Sequence, residues 1–433
     1  MTCPDCARLQ QENRRLTQEN TELKRRLAAY ENPHTPPSRK LIYPAPQRRT
    51  DGPRYPGRPR GHRGRTKLRP EPDVVAEPPR KDRCTCCGAP LGEPSEVRHR
   101  IVEEISNPAP RQVIDYLEYG WKCGACGHHT TSRHPDCPPG GRLGRNALVQ
   151  VTLMKFEERL PHRKVSEALE RTYGLNVTPA TVLDITRRVA WWLRPEYMRI
   201  LQRIRSAEVV YVDETGARVD GQRHWVWVFT TLTDTLVAVR KSRGKKVLKE
   251  VLGKDFRGVI VCDGWKSYPN FTGRIQRCWA HLLREARYLA EHVDEAKPLS
   301  EALHGLYRRL NEAEDKPPPN EAGGLVEEAK KEMVELAGRP YEKEAGRFAA
   351  KVLNGMDHWF TFLTVPGVEP TNNRAERALR EHVVQRKIMG CFRNDKGTWI
   401  YETVMTVLST WKQQGRDLPQ TLAQTLTQEW KKS

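Results

Sequence analysis

The chain has no long hydrophobic run and too little acid to balance its bases. Across 433 residues the hydrophobic fraction is only 37%. No apolar stretch approaches the ~20 residues that a membrane-spanning helix needs. The N-terminus also lacks the apolar core of a secretory signal. These absences exclude a helical membrane protein and lead us to expect a soluble, cytoplasmic, nucleoid-associated one. Against 74 Lys and Arg stand only 54 Asp and Glu, giving a net charge of +20 and an isoelectric point near 9.6. Such a balance favours a polyanion as partner, nucleic acid or an anionic membrane surface. The 11 cysteines fit an intracellular chain, because several fall in pairs with metal-ligand spacing.

Apolar residues are scarcest between 33 and 83, where Pro, Gly and Arg dominate. From Arg39 to Arg69 there are 11 Lys and Arg against the single acid Asp51. Such a segment cannot bury enough apolar surface to fold alone. Within it, Pro56-Gly57-Arg58-Pro59-Arg60-Gly61 resembles an AT-hook, whose extended core lets Arg58 and Arg60 enter a narrow minor groove. A solvated basic tether fits the same residues, and either would meet phosphates. Before it, in 1–32, Leu9, Leu16, Leu23 and Tyr30 recur every seven residues, with Asn13 and Asn20 in the other seam position. This predicts a short leucine-zipper coiled coil and a parallel homodimer or higher oligomer. A single solvated helix is the alternative.

Residues 84–140 hold Cys84-x-x-Cys87 and Cys123-x-x-Cys126, separated by strand-like segments. Two tight turns, each offering two thiolates, complete a tetrahedral Zn²⁺ site. Cys86, His128, His129 and Cys137 are substitute ligands, and free buried cysteines are the alternative. Residues 141–205 read as helical. Lys164–Thr172, a turn at Gly174, and a helix over Thr178–Val189 that opens with Thr178-Pro179 suggest a helix-turn-helix, with Arg187 and Arg188 at its far end facing DNA. An ordinary helical hairpin fits as well.

From 206 to 415 the pattern becomes α/β. Three strands, a crossover helix, a fourth strand and later helices predict a ribonuclease-H-like core. A charged helical insertion follows at 294–350, and 416–433 is expected to be a tail. Asp213 follows the apolar run Val209–Val212 and Asp263 follows Val259–Cys262, while Glu376 lies at the start of a later helix. Three such carboxylates can converge on a pair of divalent cations for in-line phosphoryl transfer, and hard oxygen ligands suit Mg²⁺ or Mn²⁺. Each acid has an ordinary explanation too. Asp213 could end its strand in an Asx turn, Asp263-Gly264 is a turn dipeptide, and Asn373-x-x-Glu376 is a capping box. Glu214, Asp220 and Asp255 compete as ligands.

Tyr211-Val212-Asp213-Glu214-Thr215, Cys262-Asp263-Gly264-Trp265, Cys278-Trp279-Ala280-His281 and Thr371-Asn372-Asn373-Arg374-Ala375-Glu376-Arg377 resemble DDE transposases of the insertion sequence 66 family. The order of segments matches over nearly the whole chain. The resemblance implies that Asp213, Asp263 and Glu376 are the catalytic, Mg²⁺-binding triad. It implies that Cys278 and His281 are the family's signature beside the active site, which we carry as second-tier catalytic candidates. It also implies that Arg386-Lys387 is a basic pair for DNA. Two departures are the short serine-poor stretch after the zipper and the extra thiol Cys86. The expected activity is strand cleavage at element ends and transfer into target double-stranded DNA. A nuclease that cuts without joining, and a non-enzymatic DNA-binding regulator, are the rival readings.

Overall fold

The computed structural model describes residues 11–21, 23, 113–114, 119–122, 126, 129–132, 137–141, 143–265, 267–312, 318 and 321–432. The basic segment 33–83 and the cysteines Cys84, Cys86, Cys87 and Cys123, with His128, lie outside them. Of the zipper expectation, residues 11–21 are helical, and Leu16 and Leu23 are exposed. Strands β1 (Tyr119–Lys122) and β2 (His129–Ser132) pair antiparallel. The segment between them carries Cys123 and Cys126, and Cys126 is exposed.

Helix α1 (Arg145–Phe156) is largely buried, with Leu148, Val149, Val151, Leu153, Met154 and Phe156 in the core. Helix α2 (His162–Tyr173) ends at Gly174, whose φ of 61° supplies the left-handed cap that a side chain resists. Helix α3 (Pro179–Arg205) starts as expected, with the Thr178 hydroxyl accepting from the Thr181 N–H at 3.2 Å and Pro179 in the first turn. It then runs for 27 residues, through Pro195. Arg187 and Arg188 are therefore mid-helix, and not at its far end as expected.

The centre is a five-stranded sheet formed by β3 (Val209–Val219), β4 (Gln222–Thr230), β5 (Thr235–Arg240), β6 (Val259–Cys262) and β7 (Ile275–Arg277). Its order is β5-β4-β3-β6-β7. β3, β4 and β5 form an antiparallel meander, while β6 and β7 add parallel to β3. Runs such as Val-Ile-Val-Cys in β6 are buried throughout, as expected of strands covered on both faces. Helix α4 (Lys245–Leu252) makes the crossover from β5 to β6 and buries Val247, Leu248, Val251 and Leu252. The β3–β4 turn is Asp220-Gly221, both with positive φ, the geometry of a tight hairpin.

Helix α5 (Trp279–His292) leads into α6 (Lys297–Glu312), α7 (Gly323–Ala337) and α8 (Lys343–Leu353). These helices bury a separate cluster around Trp279, Leu303, Met333, Phe348 and Trp359. The chain returns through α9 (Asn373–Met389), which lies on β3 and β4. Helix α10 (Asp395–Gln413) lies along the outer strand β5. There Glu402, Thr406 and Thr410, each four residues apart, accept the N–H groups of Val239, Val237 and Thr235 at 2.9, 2.9 and 3.0 Å. The outward backbone of an edge strand is thereby satisfied by a helix. The expected tail at 416–433 instead carries helix α11 (Leu418–Trp430), capped by Asp417. It buries Leu422, Leu426 and Trp430. Apolar residues four apart gave that helix its signal.

Candidate active site

The register of the parallel ladder brings the first two acids together. It runs Val209↔Val259, Val210↔Ile260, Tyr211↔Val261. Two residues beyond its last pair, β3 carries Asp213 and the chain leaving β6 carries Asp263. Beyond this point β3 continues in its hairpin with β4, while β6 stops. Asp213 is therefore inside an 11-residue strand, so the Asx-turn explanation for it does not hold. Carboxyl ends of adjacent parallel strands, where the chain diverges, are where α/β sheets place ligands.

Each acid is held by local backbone. The Glu214 N–H donates to Asp213 Oδ1 at 2.8 Å, and the Trp265 N–H donates to Asp263 Oδ1 at 2.9 Å. Glu376 lies in the first turn of α9, whose neighbouring Ala375 packs with Tyr211, Val259 and Val261. Glu376 Oε1 is buried without a hydrogen bond, 3.5 Å from His281 Nδ1. The capping-box alternative fails here: the cap residue is Asn372, and the Glu376 carboxylate faces His281. Burial above all, then the charges of Glu214, Asp263 and Glu376, hold the Asp213 carboxyl well above the usual carboxylate range. Acids crowded in this way are unfavourable until a cation joins them. The competing acids stand elsewhere. Asp220 is in the hairpin turn at the far end of β3, and Asp255 precedes β6 at its opposite end.

Two residues for which no individual role was expected organise the cluster. Asn372 is fully buried. Its N–H donates to Cys278 Sγ at 3.1 Å, its Nδ2 to the Val212 carbonyl at 2.9 Å, and its carbonyl accepts from the Glu376 N–H at 3.1 Å. One side chain and its backbone therefore fix α9 against the strand of Asp213. The adjacent asparagines were the available signal. Asn372→Ala removes the Val212 clamp and opens a small void. We expect a loss of about 1–3 kcal/mol of stability and a fall in activity larger than the loss of folded protein explains. Parallel thermal melts and cleavage rates on the folded fraction measure both.

The second is Arg243. Its guanidinium lies between the rings of Trp225 and Trp265, at 4.8 and 4.1 Å from their centroids. Nε donates to Glu214 Oε1 at 2.6 Å, and Nη2 stands 4.0 Å from Asp263 Oδ2. Glu214, whose side chain is wholly buried, also accepts from the Tyr268 hydroxyl at 2.5 Å. Trp265 Nε1 and Ser267 Oγ both donate to the Arg243 carbonyl at 3.2 Å. The loop after Asp263 is thus fastened to β3 through Glu214. Glu214 is occupied as an anchor and is not free to compete as a ligand.

The expected DNA contacts divide. Arg187 is exposed and pairs with Asp184 at 2.6 Å. Arg188 donates to the Gly140 carbonyl and lies over Trp192. Arg386 donates to Thr215 Oγ1 at 2.9 Å and to the Gly216 carbonyl, tying α9 to β3. Lys387 is exposed, as are Arg377 and Arg380 on the same helix. Arg58 and Arg60 lie outside the described residues. Among the described residues, no helix is long and apolar enough to cross a membrane.

The domain is mixed α/β and brings Asp213 and Asp263 to the carboxyl ends of two adjacent parallel strands. The model of the Transposase IS66 family matches residues 140–399, and the chain belongs to that family. Two proteins of Sinorhizobium fredii, both described only as uncharacterized, are similar. One, y4qI, is 25% identical over 65% of this chain and 58% of its own length. The other, y4jD, is 24% identical over 80% of this chain and 74% of its own. The chain thus spans less than two thirds of the first relative's length.

Proposed function

We propose that the protein is a DNA transposase with a ribonuclease-H-like core, cutting strands at element ends and joining them to target DNA. The observation that carries this reading is the shared register of Asp213 and Asp263, with Glu376 coupled electrostatically to Asp213, in a chain of this family. Asp213, Asp263 and Glu376 would hold Mg²⁺ or Mn²⁺. Their hard oxygen donors, one of them buried without a hydrogen bond, fit such an ion. When bound, the metal supplies an activated oxygen nucleophile and stabilises the leaving oxygen. The chain's own part is placement. Backbone N–H groups aim Asp213 and Asp263, Asn372 sets α9 against β3, and His281 orients the Glu376 carboxylate from 3.5 Å. Cys278 acts through the same contact network and supports Asn372. The exposed Arg377, Arg380 and Lys387 extend from Glu376 along α9 and would meet phosphates, joined by Arg187 and the linker arginines Arg58 and Arg60.

The test uses DNA carrying the termini that flank the gene, with a supercoiled target and Mg²⁺. Cleavage at the termini and joined products are expected. Cleavage without joining would favour a nuclease, and binding without cleavage a regulator. The four-part organisation ahead of the core belongs to the same proposal: coiled coil 1–32, linker 33–83, zinc unit 84–140 and helix-turn-helix 141–205. Purified, reduced protein is expected to hold about one tightly bound Zn²⁺ on Cys84, Cys87, Cys123 and Cys126. Chelation should weaken end-specific DNA binding before it unfolds the core. Metal analysis that finds no zinc would remove the zinc unit from the account.

A further inference from the structure

Cys278, His281 and Glu376 bring three chemically different donors together beside the acid cluster. A thiol sulfur, an imidazole nitrogen and a carboxylate oxygen all lie within 4.8 Å of one another. His281 Nδ1 and Glu376 Oε1 are 3.5 Å apart. Two ligands on one tetrahedral zinc, each ~2.0–2.1 Å from the metal, keep roughly 3.3–3.4 Å between them. The spacing of Cys278 and His281, three residues apart at the start of α5, puts both on one side of that helix. The Asn372 N–H already donates to Cys278 Sγ at 3.1 Å. Outer donors of this kind orient and hold a metal-bound sulfur. His281 and Glu376 are partly exposed, at 23% and 30%, while their facing atoms Nδ1 and Oε1 and the Cys278 thiol are buried, so a bound ion would be largely screened from solvent.

The geometry points to a second metal site of different chemistry: Cys278, His281 and Glu376 bind a borderline or soft transition-metal ion, Zn²⁺ fitting best, and thereby withhold Glu376 from the hard cations. Sulfur and imidazole select Zn²⁺ over Mg²⁺, while Asp213 and Asp263 offer oxygen only. The carboxylate of Glu376 stands between the two sets. An ion at the sulfur side draws its charge and repels a second divalent ion nearby, so zinc lowers Mg²⁺ affinity and Mg²⁺ lowers zinc affinity by the same factor. Cys278 loses its proton on binding. The inhibitory consequence rests on the role proposed above for Glu376, whereas the ion binding itself does not.

The experiment titrates Co²⁺, a spectroscopic stand-in for Zn²⁺, into the full-length protein with its purified zinc content retained. We expect a saturable near-ultraviolet thiolate-to-cobalt band that accounts for one added equivalent. Cys278→Ser removes that band, and exchange at other cysteines would leave its own signal in this variant. His281→Ala, at a partly exposed position, weakens binding at least tenfold and serves if Cys278→Ser folds poorly. Asp213→Asn keeps the band while losing cleavage, and Zn²⁺ slows wild-type cleavage in a way that added Mg²⁺ reverses. A band absent from the wild type, or unchanged in both ligand variants, overturns the site. A normal band in a protein whose Asp213→Asn variant still cleaves would sink the triad instead and leave the soft-metal site standing.

Discussion

Asp213→Asn, Asp263→Asn and Glu376→Gln are each expected to abolish Mg²⁺-dependent cleavage, by at least about 10³-fold, with the fold retained. The magnitude is of the order seen when a member of a concerted catalytic group is removed. Each change keeps the side chain's size and removes the charge that holds a cation. Joint loss should cost little more than one loss if the three work as a unit on one reacting phosphate, as proposed. Asp213→Asn carries a second signature. Burial first, and then neighbouring carboxylates, raise the Asp213 carboxyl above its ordinary value of 3.8. Its unfolded form therefore sheds the proton first, and the metal-free protein loses stability as pH rises from about 4 toward the raised value. Asparagine has no proton to lose there. The variant should melt higher than wild type near neutral pH without metal, and should lose the stabilisation that Mg²⁺ gives the wild type. Full cleavage in any well-folded single variant would remove that residue from the triad.

Arg243→Ala is expected to be the most damaging change outside the triad, costing about 3–5 kcal/mol. That is the usual penalty for leaving one partner of a buried ion pair behind. Glu214 has no exposed side-chain surface, and its remaining partner, the Tyr268 hydroxyl, cannot balance its charge. The loss also frees Trp225 and Trp265, which sandwich the guanidinium, and the loop that carries Asp263. Arg243→Lys should recover part of the charge but not the planar fit between two indoles. The double change Glu214→Gln with Arg243→Gln should cost clearly less than the sum of the single changes, because no charge is left buried. Urea unfolding of the four proteins measures the coupling. Additive losses would show that the pair does not act as a unit.

The strands and both strand-borne acids were legible because β-branched runs such as Val-Ile-Val-Cys have few other uses in a polar chain. The helix between β5 and β6 was legible as a crossover, which a parallel neighbour demands. What the sequence did not disclose depends on pairing across long intervals. Arg243 reads as one more base in Lys241-Ser-Arg-Gly-Lys-Lys, and only the fold shows it between Trp225 and Trp265. Asn372 reads only as the neighbour of the expected capping residue Asn373, yet its side chain spans to Val212, 160 residues away. Glu214 reads as a rival ligand because proximity to Asp213 says nothing about which way its side chain is held. The length of α3 was missed because Pro195 falls where a helix usually stops, and packing of Leu193, Tyr197 and Ile200 carries it through.

The most direct test of the metal-dependent site is a crystal grown with Mn²⁺ and an oligonucleotide bearing an element end, measured at the manganese absorption edge. The account predicts anomalous peaks bounded by Asp213, Asp263 and Glu376, about 3.5–4 Å apart if two ions are bound, and their loss in Asp213→Asn. Manganese bound only elsewhere, in a protein that still cleaves that DNA, would contradict it.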